Sequence, residues 1–77
     1  MEVGQLIPKE VSEFIRKHTK QKDWTEFAVK NNVGASMLQK VIYGYYIISE
    51  DSLPVLIKIR DFAQKVRDMK NELENSK

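Results

Sequence analysis

Apolar residues recur along the second half of the chain at alternating gaps of four and three: Val55, Ile59, Phe62, Val66, Met69 and Leu73. This seven-residue repeat, uninterrupted by Gly or Pro from Val55 to Leu73, predicts a long C-terminal helix. Leu56 and Ala63 widen its apolar stripe. The part up to Phe62 is long enough to close a small core. Val66, Met69 and Leu73 extend past what such a core needs, flanked by Lys65, Lys70 and Glu72. Residues from about Ala63 to about Glu74 are therefore expected to pair two copies, with Phe62, Val66, Met69 and Leu73 as dimerisation residues. The alternative is that this segment folds back onto the first helix or frays at Asn75-Ser76-Lys77.

Upstream, Val11, Phe14, Ile15 and His18 fall on one helical face, and Pro8 suits the first turn, where its missing N–H is not needed. A first helix is predicted from about Pro8 to about Lys20. Asp23-Trp24-Thr25-Glu26 carries capping-box chemistry, which predicts a second helix from about Trp24 to about Asn31. Asn32 can take the left-handed conformation that ends helices. A third helix is predicted over Ala35–Tyr43, with Leu38, Val41 and Ile42 facing inward and Gly44 free to stop it at positive φ. Its outward side keeps Ala35, Ser36, Gln39, Lys40 and Tyr43, with Met37 at the border. Pro54 must lie in a first turn, since deeper placement costs about 3 kcal/mol. That favours Asp51 or Ser52 as the last helix's cap; starting at Ser49 requires a separate short turn.

The pattern describes one all-α domain over residues 1–77: a compact bundle of four to five helices in 1–62, and a helical extension in 63–77. A chain this short leaves much of its surface wet, which dimerisation can relieve. Hydrophobic residues make up 42% and charged residues 31%, a globular balance. With no cysteine there is no disulfide framework and no thiolate metal site. Gly-rich phosphate loops, metal-ligand spacings and nucleophile motifs are absent, His18 has no partner at ligand spacing, and Glu50-Asp51 is explained by capping. Neither an enzyme nor a cofactor is expected. The opening MEVGQLIPKE has no basic start followed by a long apolar run, so a secretory leader is not expected. The longest wholly aliphatic run, Val55-Leu56-Ile57, is far too short to span a bilayer.

The spacing Ala28, Asn32, Val33, Leu38, Val41, Gly44 resembles the helix-turn-helix of the phage repressor and Cro family (lambda repressor-like), over roughly Asp23 to Phe62. The resemblance implies a dimeric, sequence-specific transcriptional regulator of a phage or bacterium. It would work in the cytoplasm, at the nucleoid of a bacterial host, with double-stranded DNA as partner. The third helix would lie in the major groove. Gln39 suits adenine, Lys40 guanine or phosphate, Ser36 phosphate or either base, and Met37 and Ala35 a thymine methyl. Tyr43, Tyr45, Tyr46 and Lys30, with the basic end of the first helix (Arg16, Lys17, His18, Lys20), are further DNA-facing candidates.

The chain departs from the family in three places. The family often has a glutamine after the cap of the second helix, touching a phosphate; Trp24 stands there, either packed on the first helix or reaching a phosphate or partner with its indole N–H. Ala35 replaces a frequent glutamine, and Tyr45 and Tyr46 replace a basic loop. The net charge of +2 is uneven. Residues 23–57 hold Lys30 and Lys40 against Asp23, Glu26, Glu50 and Asp51, an acidic balance that opposes tight phosphate binding. The acidic middle and the tyrosines keep a second function in view: a module, such as an antirepressor, that docks on a protein.

Overall fold

The computed structural model describes residues 1–75, and its regular elements are helices: α1 Lys9–His18, α2 Gln21–Lys30, α3 Ala35–Ile42 and α4 Ser52–Asn75. No fifth helix occurs among the described residues. Of the expected C-terminal extension, Ser76 and Lys77 lie outside them.

Pro8 immediately precedes α1 with φ −59°, and its carbonyl accepts from the Ser12 N–H at 3.0 Å. Ile15 is fully buried, and Val11 and Phe14 are half-buried, as their spacing predicts. Ser12 is buried too, which no apolar pattern reveals. Its hydroxyl donates to the Ile42 carbonyl at 2.6 Å, satisfying an acceptor at the end of α3 that the helix itself leaves open.

The second helix begins earlier than its capping signal suggested: Gln21, not Trp24, is its first residue, and Lys20 is the extended residue before it. Asp23 is therefore inside the first turn, where its carboxylate accepts from the Lys20 N–H at 2.9 Å. This is the acidic half of a capping box; the Lys20 ammonium has no lone pair to complete it. The start is fixed from behind. Thr19 is buried, its hydroxyl donates to the Ile15 carbonyl at 2.6 Å, and it accepts from the Trp24 indole N–H at 2.7 Å. That clasp locks the α1–α2 corner and puts Trp24 into the core.

Asn32 ends α2 at φ 57°. Its N–H donates to Val29 at 3.3 Å and the Val33 N–H to Ala28 at 3.0 Å, the paired bonds of a Schellman motif. Gly44, at φ 83°, repeats the motif after α3: its N–H donates to Val41 at 3.0 Å and the Tyr45 N–H to Lys40 at 2.9 Å. Tyr43 caps α3 rather than belonging to its last turn. Leu38, Val41 and Ile42 are buried, as predicted.

The chain then crosses to α4 beside its own N-terminus. The Gly4 N–H donates to the Ile48 carbonyl, and the Ile48 N–H to the Gln5 carbonyl, both at 2.8 Å. Ile7 and Ile48 enter the core through this pairing. Ser49 and Ser52 clasp each other at the start of α4. Ser49 Oγ accepts from the Ser52 N–H at 3.1 Å, and Ser52 Oγ from the Ser49 N–H at 2.9 Å. A turn at Glu50-Asp51 links them, and Pro54 sits in the first turn of α4. The reciprocal pair satisfies two donors at once.

Val55, Leu56, Ile59 and Ala63 bury α4 against the other helices, and its broadest contact is with α1. The two run in the same direction: Arg60 lies beside Glu10 in a groove between them, Arg67 covers the Phe14 ring, and Lys70 approaches His18. Past Lys70 all the described α4 residues are exposed. A helix of 24 residues is about 36 Å long at about 1.5 Å per residue, and it accounts for most of the molecule's 43 Å long axis.

Candidate functional site

Outward residues of α3 and the following turn form one surface. Ser36, Met37, Lys40, Tyr43, Tyr45 and Tyr46 are exposed, Tyr45 at 74%, and Gln39 is half-buried. Their arrangement follows from the two ends of α3. Inward Leu38, Val41 and Ile42 fix which side of the helix faces out, and the positive φ of Gly44 folds Tyr45 back toward it. The Tyr45 ring stacks on Tyr43 at 6.2 Å and 12°, while Tyr43 meets the buried Trp24 edge-on at 5.8 Å. A cleft of about 270 Å³ opens between Ser36, Gln39, Lys40, Tyr43 and Tyr45.

Neighbouring helices complete this surface. The Arg16 guanidinium of α1 lies 5.3 Å from the Tyr43 ring centroid, held by a 3.2 Å bond from its Nε to Ser12. The Lys40 ammonium lies 5.2 Å from the Tyr46 centroid. The Gln21 amide nitrogen donates to the Gln39 amide oxygen at 3.0 Å. Arg16 thus brings the basic end of α1 to the third helix. Gln21 was missed in the sequence because the start of α2 was misplaced. With α2 beginning at Gln21, Gln21 is the residue after the cap, and Trp24 is a core residue.

Charge along the chain differs from charge on the surface. Asp23 and Glu26 line a separate groove of about 140 Å³ between α2 and α4, with Phe27, Lys30 and Phe62. Gln21 and Lys30 are about half a turn apart around α2, at about 100° per residue. Lys30 therefore stands with these acids and not with the α3 surface. Among the described residues, the ion pairs are Arg60–Asp61 at 3.9 Å and Arg67–Asp68 at 3.2 Å, each between chain neighbours. Arg16, Lys20 and Lys40 have no acid partner among the described residues.

The expected dimerisation residues divide in two. Phe62 is half-buried against Phe27 of its own chain, with centroids 5.7 Å apart, and Val66 is half-buried. Met69 and Leu73 are 62% and 66% exposed. His18 is half-buried on the Phe14 ring at 4.7 Å, and its Nδ1 is enclosed with no acceptor for a proton. Burial, then the charges of Lys70, Lys17 and Arg67, lower its pKa below the ordinary 6.5, so it is a neutral packing residue at pH 7. No cluster of His, Asp or Glu that could hold a metal occurs among the described residues, and no helix there is long and apolar enough to cross a membrane.

No protein-family model, curated protein or solved structure matches the chain.

Proposed function

We propose that the protein is a transcriptional regulator of phage or bacterial type that binds double-stranded DNA with α3 in the major groove. The observation that supports this most is the contact of Arg16 with Tyr43, which sets the basic end of α1 beside the base-reading candidates. In this reading Ser36, Met37 and Gln39 meet base edges, and Lys40 meets guanine or phosphate. Arg16, Lys17, Lys20 and Gln21 hold the backbone, with hydroxyl donors from Tyr43, Tyr45 and Tyr46. The Gln21–Gln39 bond restricts the Gln39 amide before DNA arrives, as a reading side chain requires. Lys30 drops out of the DNA face. The protein acts in the bacterial cytoplasm.

Binding is to random-sequence duplex at low salt first, and to a selected operator more tightly. About three to five phosphate contacts give a salt exponent of about −3 to −4.5. Fluorescence anisotropy across a salt series measures it. An exponent near −10, or no binding at low ionic strength, contradicts the count.

Dimerisation is assigned to the exposed end of α4. Two copies then place their α3 helices about one turn of DNA apart, about 34 Å. Met69→Ser with Leu73→Ser is expected to shift the mass seen by analytical ultracentrifugation from dimer to monomer, with unchanged helix content. Truncation after Phe62 is a poorer test, because it also removes buried Ala63 and the Arg67 cover on Phe14. A double variant that still dimerises moves the interface elsewhere.

One observation favours a protein-docking module instead. Tyr45, Tyr46 and Met37 expose large, mostly apolar surface beside α3 without adding charge. Absence of duplex binding at low salt selects that reading.

A further inference from the structure

The tyrosine rings beside α3 offer more than their hydroxyls. Tyr45 is 74% exposed, yet its backbone is fixed. Gly44, at φ 83°, turns the chain back, and the Tyr45 N–H donates to the Lys40 carbonyl at 2.9 Å. The Tyr45 ring lies offset and nearly parallel to Tyr43, with 12° between their planes. That stack uses one face of Tyr45 and leaves the other to solvent. Tyr43 is itself held, edge-on to buried Trp24 and with the Arg16 guanidinium 5.3 Å from its centroid. Ser36, Gln39 and Lys40 line the cleft beside the two rings, and none of its lining residues is acidic. Its volume of about 270 Å³ falls below the roughly 300–1,000 Å³ of sites that enclose a whole small ligand, so it suits a single ring system.

We propose that Tyr45 and Tyr43 form a stacking platform for one unpaired DNA base, with Arg16 and Lys40 on the adjoining phosphates. This rests on reading the α3 surface as a DNA-binding face. Three features select the occupant. Flat, nearly parallel rings match a flat aromatic group. Two cations with no ion-pair partner among the described residues match a group that carries negative charge. Hydroxyl, amide and ammonium donors from Ser36, Gln39 and Lys40 match the carbonyl and ring-nitrogen acceptors of a base edge. A nucleotide has all three properties, and an aromatic side chain of a protein has only the first. Inside a duplex each base face is covered by its neighbours, so only a base that has left the stack reaches Tyr45. Stacking on a tyrosine tolerates any base, because every base has a π-face. The preference is therefore for DNA with a locally unpaired position over fully paired DNA, whatever the base.

The test compares two labelled duplexes of one arbitrary sequence, the first fully paired and the second carrying a single bulged adenine, by fluorescence anisotropy with the full chain at low salt. The bulged duplex is expected to bind about tenfold more tightly. Tyr45→Ala should bring that ratio to about one. Tyr45→Phe, which keeps the ring and loses the hydroxyl, should preserve it. A bulge also makes DNA easier to bend, but a gain from bending alone survives Tyr45→Ala. With 2-aminopurine at the bulge, whose fluorescence falls on stacking, the parent chain should quench the signal and Tyr45→Ala should not. A parent ratio near one, a ratio that Tyr45→Ala leaves intact, or a ratio that Tyr45→Phe abolishes overturns the proposal. Paired-duplex binding with no preference for the bulge removes the platform alone and leaves the duplex reading standing. Bulge binding without paired-duplex binding does the reverse, and binding to neither removes both.

Discussion

Trp24→Ala is expected to lose about 3–5 kcal/mol, a large share of the stability of the chain. The indole is 4% exposed, and its N–H is one half of the clasp on Thr19 that fixes the α1–α2 corner. Deleting a buried Trp costs about 3–5 kcal/mol. The Thr19 hydroxyl also loses its donor. A domain of 77 residues has only about 4–12 kcal/mol of stability in all. Urea melts followed by circular dichroism measure the loss. Trp24→Phe keeps a ring in the site and loses chiefly the hydrogen bond, about 1 kcal/mol. If the alanine variant melts within about 1 kcal/mol of the parent, Trp24 is not the packing residue described here.

The second large effect is on binding. Arg16→Glu combined with Lys40→Glu reverses two unpaired cations that flank the tyrosines. Both side chains are exposed; each gives up a cation–aromatic contact worth about 0.5–1 kcal/mol, and Arg16 also gives up its hydrogen bond to Ser12. The variant should therefore fold. Its affinity for duplex at low salt is expected to fall by a factor of about 100 or more, since repulsion replaces two phosphate contacts. The neutral pair, Arg16→Ala with Lys40→Ala, should bind more weakly and with a salt exponent smaller by about 2. Lys30→Glu, in the α2–α4 groove, should change affinity little by comparison. Equal losses from Lys30→Glu and Lys40→Glu would mean that the whole surface attracts DNA without a defined face.

Much of the fold could be read from the chain, and the reasons are local. The α3 core face, the left-handed Asn32, the stop at Gly44 and the apolar repeat of α4 all depend on residues within a turn or two of each other. What could not be read depends on contacts across the chain. Ser12 is buried because its partner is the Ile42 carbonyl, thirty residues away. Ile7 and Ile48 become core residues only when the N-terminal segment pairs with the turn before α4. The misplaced start of α2 arose where the sequence offers several acceptors in a row. Asp23 serves equally as a cap or as the third residue of a helix, and the Thr19 clasp decides between them.

The candidate site was legible on α3 itself and obscure at its edges. Summing charge by segment made the middle of the chain look hostile to phosphate. Folding turns Asp23 and Glu26 to the α4 side of α2 and brings Arg16 against Tyr43 from a different segment. The same rearrangement removes Lys30 from the face and supplies Gln21.

We propose that duplex DNA sits on the α3 surface, with Arg16 and Gln21 beside it. Titrating the ¹⁵N-labelled chain with a random-sequence duplex at low salt tests it most directly. The largest amide shifts are expected at Arg16, Gln21, Ser36, Gln39, Lys40 and Tyr43, with Lys30 and the α1–α4 groove nearly still. Shifts centred on α4 or spread evenly over the molecule, or a spectrum that the duplex leaves unmoved, would contradict it.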